Sequence, residues 1–170
     1  IAPSFASLLL VGKATLGRGD LVGARVILER ALALSSDTAT RSAVDAELAE
    51  VAYTALDHAS AGTLAAGALA MAGDPAVRLR ASNTVGKLLL AAERWSEAER
   101  HFADDEALAG CLGDTTGKLR ARLNRAIAVM SDGRLDEAHG MLSSVLADGL
   151  RKRDDRAVAR ALMNLAVMAI

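Results

Sequence analysis

Three histidines, one cysteine, a glycine-flanked Thr-Thr stretch and a spaced set of arginines and asparagines are the residues of this chain with types suited to chemistry. His58, His101 and His139 lie far apart, and none sits in a His-Glu-x-x-His array. His101 and Asp104 share one helical face, but a zinc site needs three or four ligands. No histidine lies close in sequence to Cys111 to activate its thiol, so it reads as a loop or packing residue. The stretch GDTTGKL (113–119) imitates a phosphate loop. Its glycines are one residue too close, Leu119 stands where a magnesium-binding hydroxyl belongs, and no strand precedes it. Arg18-Gly19-Asp20 matches an adhesion tripeptide, yet its Gly-Asp also reads as a turn. RKRDDR (151–156) mixes both signs and reads as a solvated helix junction rather than a nucleic-acid arm. Aromatics are 2% of the chain, which leaves no stacking platform for single strands. The net charge of −1 selects neither nucleic acid nor a membrane surface. These residues predict no catalysis, no metal and no cofactor.

The arginines and asparagines are another matter. Arg80, Arg120 and Arg160 recur 40 residues apart, and so do Thr84, Asn124 and Asn164. Each arginine lies six residues before a small residue, Gly86, Ala126 or Ala166, and each hydrogen-bonding side chain lies two before it. On a helix, an arginine and the residue four later share a face. Stacked helices would therefore align two polar columns, about 8–10 Å between rungs. Asn83 and Lys87 extend the same side, with Asn83 nearer the packing face. An amide offers donor and acceptor together, as a peptide bond does. A guanidinium offers a planar fork for a carboxylate or phosphate. The bland reading stays open beside this one: arginine is a common solvated helix former, and the asparagines could bond only within the stack. The first two such helices carry Ala6 and Leu10, then Ala43 and Glu47, instead.

The elements that position these columns come from a repeat. Ala24, Ala61, Ala98 and Ala138 are spaced by 37, 37 and 40 residues. Large residues, Leu21, Trp95 and Leu135, precede three of them, with His58 in the weaker second copy. Twelve residues upstream of each alanine sits another small residue: Gly12, Ala49, Gly86 and Ala126. Each repeat reads as an A helix with a small residue mid-length, then a B helix with its alanine in the first turns. Small residues let two helices approach to 8–10 Å. One hairpin cannot bury its own apolar stripe, but a neighbour covers it. The pattern predicts helices at 4–17, 21–34, 38–56, 60–71, 75–92, 95–108, 116–131, 135–149 and 154–170. Asp37, Asp74 before Pro75, Thr115 and Asp154 or Asp155 read as N-caps.

Composition agrees. Alanine makes up about a fifth of the chain and, with leucine, favours helix. Runs of β-branched and aromatic residues are scarce, which argues against sheet. No apolar run reaches the ~18 residues of a membrane span. The first residues lack a basic leader, a cleavage site and an initiator methionine, so the chain reads as a piece of a longer protein without a signal peptide. One cysteine suits a reducing, cytoplasmic setting.

Gly12…Gly19…Leu21…Ala24…Ala31, Gly86…Trp95…Ala98 and LNRAIAVMSDGRLDEA (123–138) resemble the tetratricopeptide-repeat superfamily over essentially the whole chain. The spacing exceeds the usual 34 residues. With the LNRA and MNLA openings, it is similar to the longer-repeat branch of kinesin light chain and of sensor regions in large bacterial regulators, such as maltose-type transcription activators and signal-transduction ATPases. HEAT-like repeats are the structural alternative. The resemblance implies a single all-α domain, a right-handed α-α superhelix (solenoid) of about four and a half helix-turn-helix repeats and roughly nine helices. The repeats fall at about 4–37, 38–74, 75–114, 115–153 and an incomplete 154–170. It also implies a concave groove lined by A helices, in which asparagines hold an extended peptide. The function expected is a non-catalytic protein- or peptide-binding module of a signalling or regulatory protein. A small-ligand or peptide-pheromone sensor controlling an attached domain is the alternative, and a structural or dimerisation spacer is a third. The groove residues are then Arg80, Asn83, Thr84, Lys87, Arg120, Asn124, Arg160 and Asn164. The partner expected is a protein or peptide segment, acidic given the arginines, with no nucleic acid or membrane. Leu162, Leu165 and Val167, on a last helix without a polar cap, suggest either that more repeats follow or that this end packs on another copy of the chain.

Overall fold

The computed structural model describes residues 3–169. Among the described residues there are nine α-helices and no strands. They are α1 (Phe5–Gly17), α2 (Leu21–Ala33), α3 (Thr38–Thr54), α4 (His58–Met71), α5 (Pro75–Ala91), α6 (Trp95–Cys111), α7 (Thr115–Ser131), α8 (Leu135–Lys152) and α9 (Asp155–Met168). Odd-numbered helices are the A helices of the repeats, and even-numbered ones are the B helices. The chain forms two compact bodies, one up to Leu88 and one from Leu89.

Six of the connections share one turn. The residue before the next helix's N-cap has positive φ: Gly19, Leu56, Glu93, Gly113, Gly133 and Arg153. The N–H of the cap residue then reaches back five positions, as from Asp114 to the Ala109 carbonyl at 2.9 Å and from Arg134 to Val129 at 3.1 Å. This backbone closure satisfies carbonyls that the ending helix leaves open. The cap side chain opens the following helix: Asp20, Asp57, Asp114 and Asp154 each accept from a backbone N–H three residues on. Asp114, not the expected Thr115, caps α7, because the left-handed Gly113 turns the aspartate toward the new helix end. Asp57 likewise starts α4 at His58, two residues earlier than the pattern suggested. Helices α6 and α8 run on to Cys111 and Lys152, past their expected ends.

In the N-terminal body, Leu8, Ala24, Leu28, Ala31, Val44, Leu48 and Val51 form one core. Gly12 lies against α2: a Cβ there would meet Leu28 Cδ2 at 2.6 Å and Leu28 Cγ at 2.8 Å. That is the close A–B contact the repeat requires. A second cluster joins Ala46, Ala68 and Ala81. Nearby, the buried Ser42 hydroxyl donates to the Ala68 carbonyl at 2.9 Å. In the C-terminal body, Ala98, Phe102 and Ala128 pack with Leu89 and Leu90. Leu119, Leu123, Ala126, Leu142, Val145, Ala157 and Ala161 form its larger core. The alanines at the stencil positions, Ala24, Ala61, Ala98 and Ala138, are all fully buried.

Candidate functional site

Each body places its own part of the expected columns. In the N-terminal body, α3 and α5 bring Arg80 onto Glu47, with Nη2 and Nε at 2.7 and 3.1 Å from Oε2. Lys13 of α1 approaches the same carboxylate at 3.6 Å. One turn on, Lys87 Nζ donates to Glu50 Oε1 at 2.6 Å, and Thr84 Oγ1 donates to Oε2 at 3.2 Å. The Lys87 ammonium also lies 4.3 Å from the centre of the Tyr53 ring, which stacks on His58. Asn83 and Thr84 are buried.

The electrostatics follow from this pairing. Burial pushes the Glu50 carboxyl up, but Lys87 and Arg80 outweigh it, and the net shift is below the ordinary value. Burial pushes Arg80 down, and Glu47 and Glu50 reverse that, holding its guanidinium charged. Sequence reasoning named Glu47 as a gap in the column and missed Glu50. The signal was present: Lys13, Glu50 and Lys87 each directly follow the small residue of their A helix.

In the C-terminal body, α7 and α9 are joined by the same rung with different chemistry. Arg160 Nη2 donates to Asn124 Oδ1 at 3.0 Å, and Asn164 Nδ2 donates to the Arg160 carbonyl at 2.8 Å. Asn124 is buried, whereas Arg120, Arg160 and Asn164 are half-buried. In both bodies, then, the arginine six before the small residue reaches the side chain two before the small residue of the preceding A helix. The Asn124 amide meets Arg160 as a neutral acceptor. Glu47 meets Arg80 as a charged one.

A second polar seam in this body was not anticipated. Arg122 of α7 bridges Glu106 of α6 at 2.7 Å and Asp148 of α8 at 3.1 Å. Arg125 and Arg134 converge on Glu99 at 3.5 and 2.9 Å. The Arg134 guanidinium, by its hydrogen bonds first, holds the Glu99 carboxyl below its ordinary value despite desolvation. An open cleft of about 430 Å³ lies over this seam, lined by residues that include Glu106, Arg122, Asp136 and Met141. The i, i+7 spacing of Glu99 and Glu106 on α6 was the available clue.

The other candidates are dispersed. Cys111 is exposed at the end of α6. Gly19 and Asp20 of the adhesion-like tripeptide form the turn and cap of α2. Among the described residues no group of three or more His, Cys, Asp or Glu side chains could hold a metal ion. No described helix is long and apolar enough to cross a membrane.

No protein-family model and no curated protein sequence matches the chain. Solved structures do. The apo form of RapI aligns with a TM-score of 0.75 at 15% identity, over 96% of this chain and 62% of RapI. TPR-like repeats of a kinesin light chain from Podospora anserina align at 0.66 and 20% identity, over 96% of this chain and 84% of theirs. PilF of Pseudomonas aeruginosa aligns at 0.63 and 17% identity, over 96% of this chain and 76% of its own. The chain therefore spans somewhat less than two thirds of RapI. Helical hairpins with buried small-residue contacts, common turns and these structural neighbours together give the chain the all-α helical-repeat fold of the tetratricopeptide type.

Proposed function

We propose that this chain is a non-catalytic binding module of a larger signalling or regulatory protein, and that it holds an acidic peptide segment on the A-helix face of its C-terminal body. Arg120 and Arg160 supply the charged contacts, and Asn164 supplies an amide toward the peptide main chain. Asn124 acts as a positioning residue, buried beneath Arg160. The observation that supports this most is the exchange of Glu47 for Asn124 at equivalent rungs. An amide is a neutral acceptor where Glu47 is a charged one, and a charge-assisted contact from a guanidinium to a carboxylate is worth roughly twice a neutral one. In the N-terminal body, Arg80, Thr84 and Lys87 serve an internal network with Glu47 and Glu50, with Asn83 buried beside them. The helical-repeat neighbours support a role in protein interaction.

The test is a peptide array of extended sequences graded from basic to acidic, probed at low salt with the chain and with an Arg120→Glu/Arg160→Glu variant. Acidic peptides should be enriched, and the variant should lose about tenfold or more in affinity for them. Circular dichroism should show an unchanged helical fold. Binding without charge preference, or equal binding by the variant, rejects the reading.

A further inference from the structure

The side of α7 turned away from Arg120 carries a second set of cations. Lys118, Arg122 and Arg125 follow one another at i, i+4 and i+7, so they form one stripe along the helix. Arg120 lies two positions from Lys118 and from Arg122, about 200° round the helix, and belongs to the opposite side. The stripe is the floor of two open clefts that meet. One, of about 430 Å³, lies toward α8 and is lined by residues that include Arg122, Arg125, Asp136, Gly140 and Met141. The other, of about 550 Å³, lies along α6 and is lined by residues that include Gly110, Lys118 and Arg125. Glu106 and Arg125 line both, so the two form one furrow with α6 and α8 as its walls.

Three features of this furrow are unused by the fold. Gly140 stands inside α8, where glycine is a poor helix former. A Cβ there would meet nothing within 4 Å, so no neighbouring helix demands a glycine. Glycine at such a place lets another backbone come close. Among the described residues, Arg125 Nε is buried and has no hydrogen-bond partner, an unfavourable state until an acceptor arrives. The charges at the two ends, Lys118 beside Gly110 and Asp136 on the α8 wall, form no ion pair among the described residues. Between them, Glu106 pairs with Arg122 and Arg125.

We propose that the furrow binds an extended polypeptide segment of mixed charge, with a carboxylate side chain on Lys118, a cationic side chain on Asp136 and its main chain against Gly140. An extended chain is the occupant these features select. Its carbonyls are open to guanidinium donors, whereas a helix pairs its own internally. The clefts are too open to enclose a small molecule, which needs most of its surface covered. A chain lying lengthwise instead buries one side along the whole floor. From Lys118 to Arg125 the floor is about 10 Å long, so about four to six residues at ~3.3 Å each cover it and its ends. An apolar side chain between the two charges lies on the half-buried Met141. Opposite charges at the two ends fix the direction of the segment and disfavour a uniformly acidic one. The site is on the other side of α7 from the proposed groove and does not depend on it.

A phage-displayed library of random peptides, selected on the intact chain, supplies the probe. Enriched sequences should carry an acidic and a basic residue about four to six positions apart, in one fixed order. As synthetic peptides they should slow alkylation of Cys111, the chain's one cysteine, which lines the Lys118 end of the furrow. Gly140→Leu fills the furrow from an exposed helix position, so it should keep or raise the melting temperature while weakening binding by about tenfold or more. Asp136→Lys should weaken binding by a similar factor, and Arg120→Glu/Arg160→Glu should leave it unchanged. Absence of such peptides from the enriched set overturns the proposal, as does binding that ignores Gly140→Leu. Peptides lost only in the Arg120→Glu/Arg160→Glu variant occupy the opposite face; they overturn the furrow and leave the acidic groove standing.

Discussion

At the scale of single residues, Glu47 anchors a buried ion pair. It is 3% exposed and accepts from Nε and Nη2 of Arg80, with Lys13 nearby. Removing one member of a buried pair strands the other's charge in a poor solvent and costs about 3–5 kcal/mol. Arg80 keeps part of its surface in water, so the expected cost of Glu47→Ala is nearer ~2–3 kcal/mol. Urea unfolding of the variant checks this. The comparison is Glu97→Gln, which breaks an exposed pair with Arg94 at 2.6 Å and should leave the midpoint unchanged. Equal losses in the two variants would mean that burial does not govern these pairs.

At the scale of elements, the shared turn and the small-residue contact each yield a prediction. Leu56 adopts a φ of 63° and is 79% exposed, although Gly19, Gly113 and Gly133 fill the same turn elsewhere. Left-handed backbone costs a side-chain-bearing residue about 1–2 kcal/mol. Leu56→Gly is therefore expected to stabilise the chain by about 1 kcal/mol, after the entropy that glycine loses on folding. A lower melting temperature would show that the turn is held by something other than its backbone. Ala98 is fully buried among Phe102, Ala128, Leu89 and Leu90. Ala98→Leu should overpack this site and cost about 1–3 kcal/mol in a thermal melt. Unchanged stability would mean that the helices there are not in close contact.

At the scale of the whole molecule, acid response integrates these groups. Glu50 and Glu99 have carboxyls lowered from an ordinary 4.5. Their contribution is complete above that value and is lost as pH falls through the lowered folded-state pKa. Asp45 runs the other way: burial raises its carboxyl above the ordinary 3.8, with Arg41 opposing. Its charged form weakens the fold at neutral pH and not in acid. The melting temperature should therefore fall as pH drops below the ordinary 4.5 and through the lowered folded-state values, and Glu50→Gln should flatten that fall. Asp45→Asn should raise the melting temperature near pH 7 and leave it unchanged near pH 3. An acid profile insensitive to both substitutions would remove these groups as its cause.

What the sequence determined by itself was the repeat and its hairpins. Glycine and alanine at fixed phase are local and periodic, so Gly12, Ala24, Ala98 and Ala126 declared the A–B contacts and the helix bounds to within a few residues. The turn aspartates were legible for the same reason, although Asp114 took the cap expected of Thr115 because the left-handed Gly113 precedes it. The periodicity of Arg80, Arg120 and Arg160 was legible too, but the partner of each was not. Whether an arginine meets Glu47 or Asn124 depends on the residue 33 or 36 positions away that stacking brings alongside. The Glu99–Glu106 seam was decided the same way. Phase along a chain fixes which face a side chain occupies; only packing between helices fixes what it meets there.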